Sequence, residues 1–299
     1  MPFLALKIDV DTLRGTREGV PTLLRLLDRH RLSATFLFSL GPDHTGRALK
    51  RVFRPGFLAK VGRTSVVEHY GVKTLLYGTL LPGPDIGKLG AESMRSVYRA
   101  GHETGVHTWN HILWQDHVAH RDAAWTQQQM QLAVARYTDI FGRPPRVHGA
   151  AGWQMNDAAY ALEAELGFTL ASDGRGDAPF RPVVGGRALA VPQLPTTLPT
   201  LDECIGLDGV TPDNVAQHIL QRSLDGRDHV FTLHAELEGG KLSPVFDALL
   251  QGWQAAGLRL GSLSNYASTL KLDVLPLRGV AQGSVPGRSG LLAVTADAA

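Results

Sequence analysis

Two periodicities alternate along this chain. Leu4 to Val10 is an apolar run that ends among carboxylates, Asp9 and Asp11, and reads as a buried strand. From Gly19 to His30, Val20, Leu23, Leu24, Leu26 and Leu27 recur at helical spacing, and Ser33–Ser39 is a second strand, followed by Gly41-Pro42-Asp43. The order then repeats. A helix near Ala91–Ala100 precedes a strand at Thr104–Val106, and a helix across Thr126–Phe141 precedes a strand near Arg146–Ala150. A helix at Asn156–Leu166 leads to a strand at Phe168–Ser172. Helix His218–Leu224, strand His229–His234 and helix Val245–Ala256 close the pattern. Such alternation predicts an α/β fold with a parallel sheet covered by helices, and about seven strands favour a barrel, an incomplete one.

Two segments stand outside the alternation. Residues 44–90 form a long insertion, and residues 276–299 are rich in Gly, Ser and Ala and are expected to be a loosely ordered tail. Residues 1–275 are thus expected to form one barrel carrying that insertion.

Composition changes this picture little. With 30 Lys and Arg against 28 Asp and Glu, the formal charge is only +2, which excludes a polycation made for nucleic acid. A single cysteine, Cys204, rules out an internal disulfide and a cysteine-based zinc site. The first residues lack the basic start, long apolar stretch and cleavage site of a secretory signal, and no window approaches the ~18 apolar residues of a spanning helix. The expected location is the cytoplasm, with any membrane contact peripheral.

The candidate chemistry falls at strand ends: Asp9 and Asp11 on the first strand, His107 after Gly105, Asp173 after Phe168–Ser172, and His234 on the last. In a parallel barrel these ends converge on one mouth. In His107-Thr108-Trp109-Asn110-His111 the imidazoles are four apart. On a helical turn they would share one face and could share one metal; two surface histidines is the competing reading. Asp9 and Asp11 flank one residue at the end of an apolar strand, where burial costs energy unless something compensates them. A divalent cation would do so, as would a helix cap or a pairing with Arg14 or Arg17. If Asp11 completes a His/His/Asp set, positions remain open for water and substrate. His234, in Leu233-His234-Ala235-Glu236, suits a general acid because its reference pKa lies near neutral.

Taken in order, Asp9/Asp11, His107 to His111 and Leu233-His234 resemble the motifs of the polysaccharide deacetylase (NodB-homology) family. That resemblance implies a distorted (β/α) barrel that hydrolyses N-acyl groups from sugars. More narrowly, Ile8 to Pro21 resembles the branch that deformylates a 4-formamido sugar carried on a polyprenyl phosphate, in lipid A modification and resistance to cationic antimicrobial peptides. Ala150 to Trp153, Ser172 to Gly176, Pro179 to Pro182, Leu198 to Thr200 and His234 to Glu236 carry the same likeness, from about Leu4 to about Gly290. It implies that Asp9 is the catalytic base, that Asp11, His107 and His111 hold one divalent metal ion (Zn, Co, Mn or Fe), and that His234 is the general acid. Trp153, Asp173, Arg175 and Glu236 then become substrate-contacting or supporting residues, with Arg14 and Arg175 as candidates for a phosphate. One departure is Gln154. The deformylases place an arginine after Gly-Trp, thought to steady the catalytic Asp, and glutamine supplies no charge. Arg175 or Arg14 are the candidates to replace it.

The insertion bears on the lipid-linked substrate independently. From His44 to Val67, Arg47, Lys50, Arg51, Arg54, Lys60 and Arg63 occur without an acid, interleaved with Val52, Phe53, Phe57, Leu58 and Val61. Basic plus apolar in a short span is what an interfacial segment uses on anionic lipid, and places the protein at the inner face of the cytoplasmic membrane; a lid packed on the barrel is the alternative. Two functions compete with deformylation: N-deacetylation of a soluble amino sugar or glycan, and non-catalytic binding at a membrane.

Overall fold

The computed structural model describes residues 1–48 and 71–297. Lys50, Arg51, Phe53, Arg54 and Phe57, the lipid-facing candidates, lie outside the described residues.

In chain order the main elements are β1 (Phe3–Val10), α1 (Val20–His30), β2 (Thr35–Ser39), α2 (Ala91–Arg99), β3 (Glu103–Thr108), α3 (His111–His117) and α4 (Ala123–Phe141). Then come β4 (Val147–His148), α5 (Asp157–Glu165), β5 (Leu170–Ala171), β6 (Arg181–Val184) and β7 (Arg187–Ala188). The chain continues with α6 (Val215–Ser223), β8 (His229–His234), α7 (Ser243–Ala255), β9 (Arg259–Gly261), β10 (Leu277–Gly283) and β11 (Leu292–Ala296). Seven strands form one all-parallel sheet in the order β5-β4-β3-β2-β1-β8, with β9 also on β1. Against β1, β8 pairs along Leu4–Asp9, β2 along Lys7–Val10 and β9 only along Phe3–Ala5. The incomplete barrel is therefore the fold. β9, only three residues long and with one of them exposed, carried too little pattern to be anticipated.

Every residue of β1 is buried, so its two faces sort by period two. Leu4, Leu6, Ile8 and Val10 join the cluster under the helices, together with Phe36, Phe38, Phe231, Leu233 and Trp253. Phe3 and Ala5 join Leu37, Val147, Leu170, Leu194 and Val230 in a second cluster inside the barrel. Continuing in that inner phase, β1 next presents Lys7 and Asp9 (with Asp11 just beyond), β3 presents His107, and β8 presents Thr232 and His234. The strands thus put apolar residues at one end of the barrel interior and ionisable residues at the other.

Between β5 and β8 the wall is completed without a regular strand. Residues 192–198 run there, with Leu194 N donating to Ala171 O at 2.8 Å and Thr197 N donating to Val230 O at 3.1 Å. Pro192 and Pro195 within the segment and Pro199 beyond it have no N–H to donate, so a continuous ladder cannot form.

The expected loose tail is a correction. β10 pairs with β11 and with β6, and β6 also with β7, making a separate four-stranded sheet. Leu292 and Ala293 are buried, and Ala293 O accepts from Arg175 N at 2.8 Å. Backbone pairing orders a segment whose Gly-rich composition argued against order. Removing residues 277–299 is therefore expected to lower Tm by at least about 5 °C in a thermal melt, whereas a loose tail would leave it unchanged.

Candidate active site

Helices take their starts from side chains that cap them. Asp122 accepts from Trp125 N ahead of α4, which is why α4 begins before the apolar run at Thr126. Asn110 accepts from Leu113 N and opens α3. That cap changes the reading of the histidine pair. His107 lies on β3 and His111 is the first residue of α3, with the extended Asn110 between them. They share no helical turn; a strand end and a helix start turn both rings toward Asp11.

Asp11 Oδ1 lies 3.3 Å from His107 Nε2, and Asp11 Oδ2 lies 3.3 Å from His111 Nε2. His107 Nδ1 is 2.6 Å from Gly149 O, a group that can only accept, so Nδ1 carries the proton when the ring is neutral. Nε2 then turns a lone pair toward the carboxylate, and Asp11 Oδ1, buried, has no hydrogen-bond partner. Two acceptors facing each other inside a protein call for a cation between them. Ligand atoms of Asp11, His107 and His111 all fall within 4.8 Å of one another, and the imidazole–carbonyl bond is the usual way a metal-binding histidine is oriented. The donor set fits a divalent metal. Burial pushes the Asp11 carboxyl up, but protonated His111 and His107 rings more than reverse this and hold it well below the ordinary carboxylate range.

Asp9 and His234 are register partners on β1 and β8, and Ala235 N donates to Asp9 O at 2.9 Å. Both side chains are buried, and Asp9 Oδ1 and His234 Nδ1 have no partner. Trp153 meets the His234 ring edge-on at 6.3 Å, held at φ 52° just after Gly152 at φ 62°. Left-handed backbone at a tryptophan costs energy and is found where a site needs it.

Supporting groups hold the backbone. Glu236 Oε1 accepts from Asp11 N, Thr12 N and Thr12 Oγ1 at 3.1, 2.8 and 2.7 Å. A Cβ on Gly15 would lie 2.0 Å from that oxygen, so only glycine admits the carboxyl, and Gly15 opens a π-helical turn. Burial, and then Asp11, pushes the Glu236 carboxyl well up. Asp43 and Glu238 were not anticipated from sequence. Asp43 accepts from Leu13 N at 3.0 Å, and Glu238 accepts from His234 N at 2.8 Å while burial pushes it up to about 8. Both are lone acids in unremarkable local sequence, so spacing offered no signal.

Asp173 works one layer back. Its Oδ1 accepts from Ala150 N at 2.8 Å and lies 2.8 Å from His148 Nδ1, which also meets Glu163 Oε1 at 3.0 Å. Gln193 Nε2 donates to both acids, at 2.8 Å to Asp173 and 3.1 Å to Glu163. His148, Glu163 and Asp173 have the proximity of a second metal set, but all three are buried and each of their four carboxylate oxygens is met by His148, Gln193 or Ala150 N. They anchor residues 148–150, and through Gly149 O they orient His107. Burial lowers the His148 pKa, but Asp173 and Glu163 more than reverse it and raise it to about 10. Asp173 is pushed up by burial and brought well below its ordinary value chiefly by His148.

The remaining candidates lead away from the cleft. Arg175 is buried behind Trp153 and spends its guanidinium on Glu203 at 2.6 Å, Leu198 O and Thr196 O, so it is not available to a substrate phosphate. Gln154 Nε2 donates to Leu291 O, and Arg14 pairs with Glu18 at 2.8 Å on a part-exposed rim. None of the three is set against Asp9.

Residues 4–171, over half of the chain, match the Polysaccharide deacetylase family. A Shewanella sediminis protein named "Probable 4-deoxy-4-formamido-L-arabinose-phosphoundecaprenol deformylase ArnD" is 38% identical over 247 residues, 83% of this chain and 80% of that one. The chain belongs to the polysaccharide deacetylase family. Among solved structures, a proposed polysaccharide deacetylase from Mycobacterium smegmatis superposes with TM-score 0.64 at 18% identity, covering 94% of each chain, which shows the fold. A Bacillus anthracis family 4 carbohydrate esterase pseudoenzyme shares it with TM-score 0.52 at 12% identity over 88% of this chain and 64% of that one. The fold thus hosts inactive proteins too, and activity must be argued from side chains.

For His148→Ala, the sign of the linkage follows from the raised pKa. Its contribution is complete below the free-histidine value of 6.5 and is lost as pH rises toward 10. Asp173 contributes above its ordinary 3.8 and loses that on acidification. The stability gap to wild type is therefore expected to be largest, about 3–5 kcal/mol, near pH 5–6.5, and to shrink toward pH 10 in denaturant melts. A gap that widens with pH would contradict the charged His148.

Proposed function

We propose that this protein is a metal-dependent deformylase that hydrolyses the formamide of a 4-deoxy-4-formamido-L-arabinose linked to undecaprenyl phosphate, releasing formate and the 4-amino sugar for lipid A modification and resistance to cationic peptides. The observation that carries the reading is Asp11 Oδ1, without a hydrogen-bond partner, facing His107 Nε2 at 3.3 Å beside the partnerless Asp9 Oδ1 and His234 Nδ1. The name and 38% identity of the Shewanella relative supply the acyl group and the sugar carrier.

Asp11, His107 and His111 would hold one divalent cation, Zn, Co, Mn or Fe, which when bound acts as a Lewis acid toward water and the amide oxygen. The Asp9 carboxylate takes the proton from the attacking water, whose oxygen adds to the formyl carbon. His234 then gives a proton to the sugar nitrogen as the C–N bond breaks, so that water and amide become formate and amine. Trp153, packed edge-on, limits the tilt of the His234 ring. Glu236 and Asp43 fix the N–H groups of residues 11–13, so Asp11 meets the histidines without reorganisation.

Among the described residues no helix is long and apolar enough to cross a membrane. Val72 and Leu80 of the insertion are exposed, at 64% and 81%, and support a peripheral lipid-facing role for it. Retention of the whole polar set favours catalysis over non-catalytic binding.

Asp11→Ala and His107→Ala are expected to lose bound metal and formate release together, the latter by at least about 10³-fold. Asp9→Asn should keep its metal and lose turnover by a similar factor. Metal analysis with a formate assay on the lipid-linked sugar checks both. Acetate release from a soluble N-acetyl sugar at a higher kcat/KM would replace the deformylase reading with the deacetylase one.

A further inference from the structure

Lys7 has no role so far, yet it is the one lysine wholly buried among the described residues. It lies on β1 two residues before Asp9, in the same inward phase, where Phe3 and Ala5 below it are apolar. Taking an ammonium out of water costs several kcal/mol unless charge and hydrogen bonds replace the solvent. Three groups do so here. Lys7 Nζ donates to Ser172 O at 2.9 Å, lies 3.5 Å from Asp9 Oδ2, and sits 5.5 Å from the centroid of the Trp153 ring. The channel for the side chain is made by a glycine: a Cβ on Gly149 would come within 3.1 Å of Lys7 Cε and 2.3 Å of Leu37 Cδ1.

We infer that Lys7 is the positioning residue of the catalytic carboxylate, holding Asp9 by Oδ2 and so fixing the orientation in which the carboxylate meets the attacking water. Asp9 Oδ2 is the oxygen set against the ammonium, while Oδ1 is the buried atom left without a partner. His107 Nδ1, 3.7 Å from Oδ1, is committed to Gly149 O and does not compete. The arginine expected after Trp153 is replaced by Gln154, whose amide reaches Leu291 O instead, and Arg175 and Arg14 are engaged with Glu203 and Glu18. The cation comes from below, along β1. Ser172 O and Trp153 tie Lys7 to the segments that Asp173 and Gly152 shape, so the base is fixed by three separate parts of the chain. The inference rests on Asp9 being the base.

The test is a double-mutant cycle on formate release with bound metal measured in every protein. Lys7→Met keeps the length of the side chain and removes the charge. It is expected to lower kcat roughly 10²-fold, with KM within about threefold and metal content unchanged, because a misdirected base loses turnover rather than binding. In an Asp9→Asn background the same substitution should change kcat less than about threefold, since Lys7 acts only through Asp9. Equal losses in both backgrounds, or normal kcat in Lys7→Met, would overturn the inference while leaving Asp9 as base. Normal turnover in Asp9→Asn would instead remove the base assignment itself. A second measurement needs no substitution at Lys7. In the zinc-loaded protein with ¹⁵N-labelled lysine, one slowly exchanging Nζ signal is expected, and it should shift in Asp9→Asn. An unmoved signal would break the pairing even if Lys7→Met does not fold.

Discussion

Charge cannot be left unaccompanied inside a barrel, and β1 carries three charged groups on or just beyond its inner face. Lys7, Asp9 and Asp11 follow one another at the two-residue period of a strand whose flanks are fully taken by β2, β8 and β9. Water cannot reach them from the sides, so the protein surrounds them with fixed partners. Lys7 is answered by Asp9, Ser172 O and Trp153, and Asp11 by His107 and His111. Around these stand carboxyls that bind backbone N–H groups rather than charges: Glu236, Asp43 and Glu238. The cleft is a polar core in which each member limits the freedom of the next.

Much of this was legible in the chain. Long apolar segments and their helical partners, Leu4–Val10, Val20–His30 and His229–His234 above all, gave both fold and strand ends, because period and length there leave one solution. Asp9, Asp11, His107, His111 and His234 could be named because chemistry falls at strand ends. What escaped had weaker local signals. β9 to β11 are short or Gly-rich, and their order comes from backbone pairing with distant strands. The geometry of the histidine pair turned on Asn110, a helix cap mistaken for helix interior. Lys7 was overlooked because a lone lysine in an apolar strand is easily taken as an interruption. Its two-residue distance from Asp9 was the sign that it points the same way.

The same reasoning separates two clusters that proximity alone would equate. His148, Glu163 and Asp173 are as close together as Asp11, His107 and His111. In the buried cluster every carboxylate oxygen is answered by Gln193, Ala150 or His148. At the cleft the acceptors confront each other without donors. Completeness of hydrogen bonding, not density of ligand-type residues, tells scaffold from reactive site.

The segment 192–198 has a consequence for solubility. A barrel wall that stops at β5 and β8 exposes two rows of unpaired amides and carbonyls, each able to recruit a strand from another molecule. Here both rows are occupied by one stretch that bonds Ala171 on one side and Val230 on the other. Pro192 and Pro195 within it, and Pro199 beyond, interrupt its own donor row. The stretch therefore seals both edges while being a poor template itself, a closure that guards against intermolecular sheet growth without requiring an eighth strand.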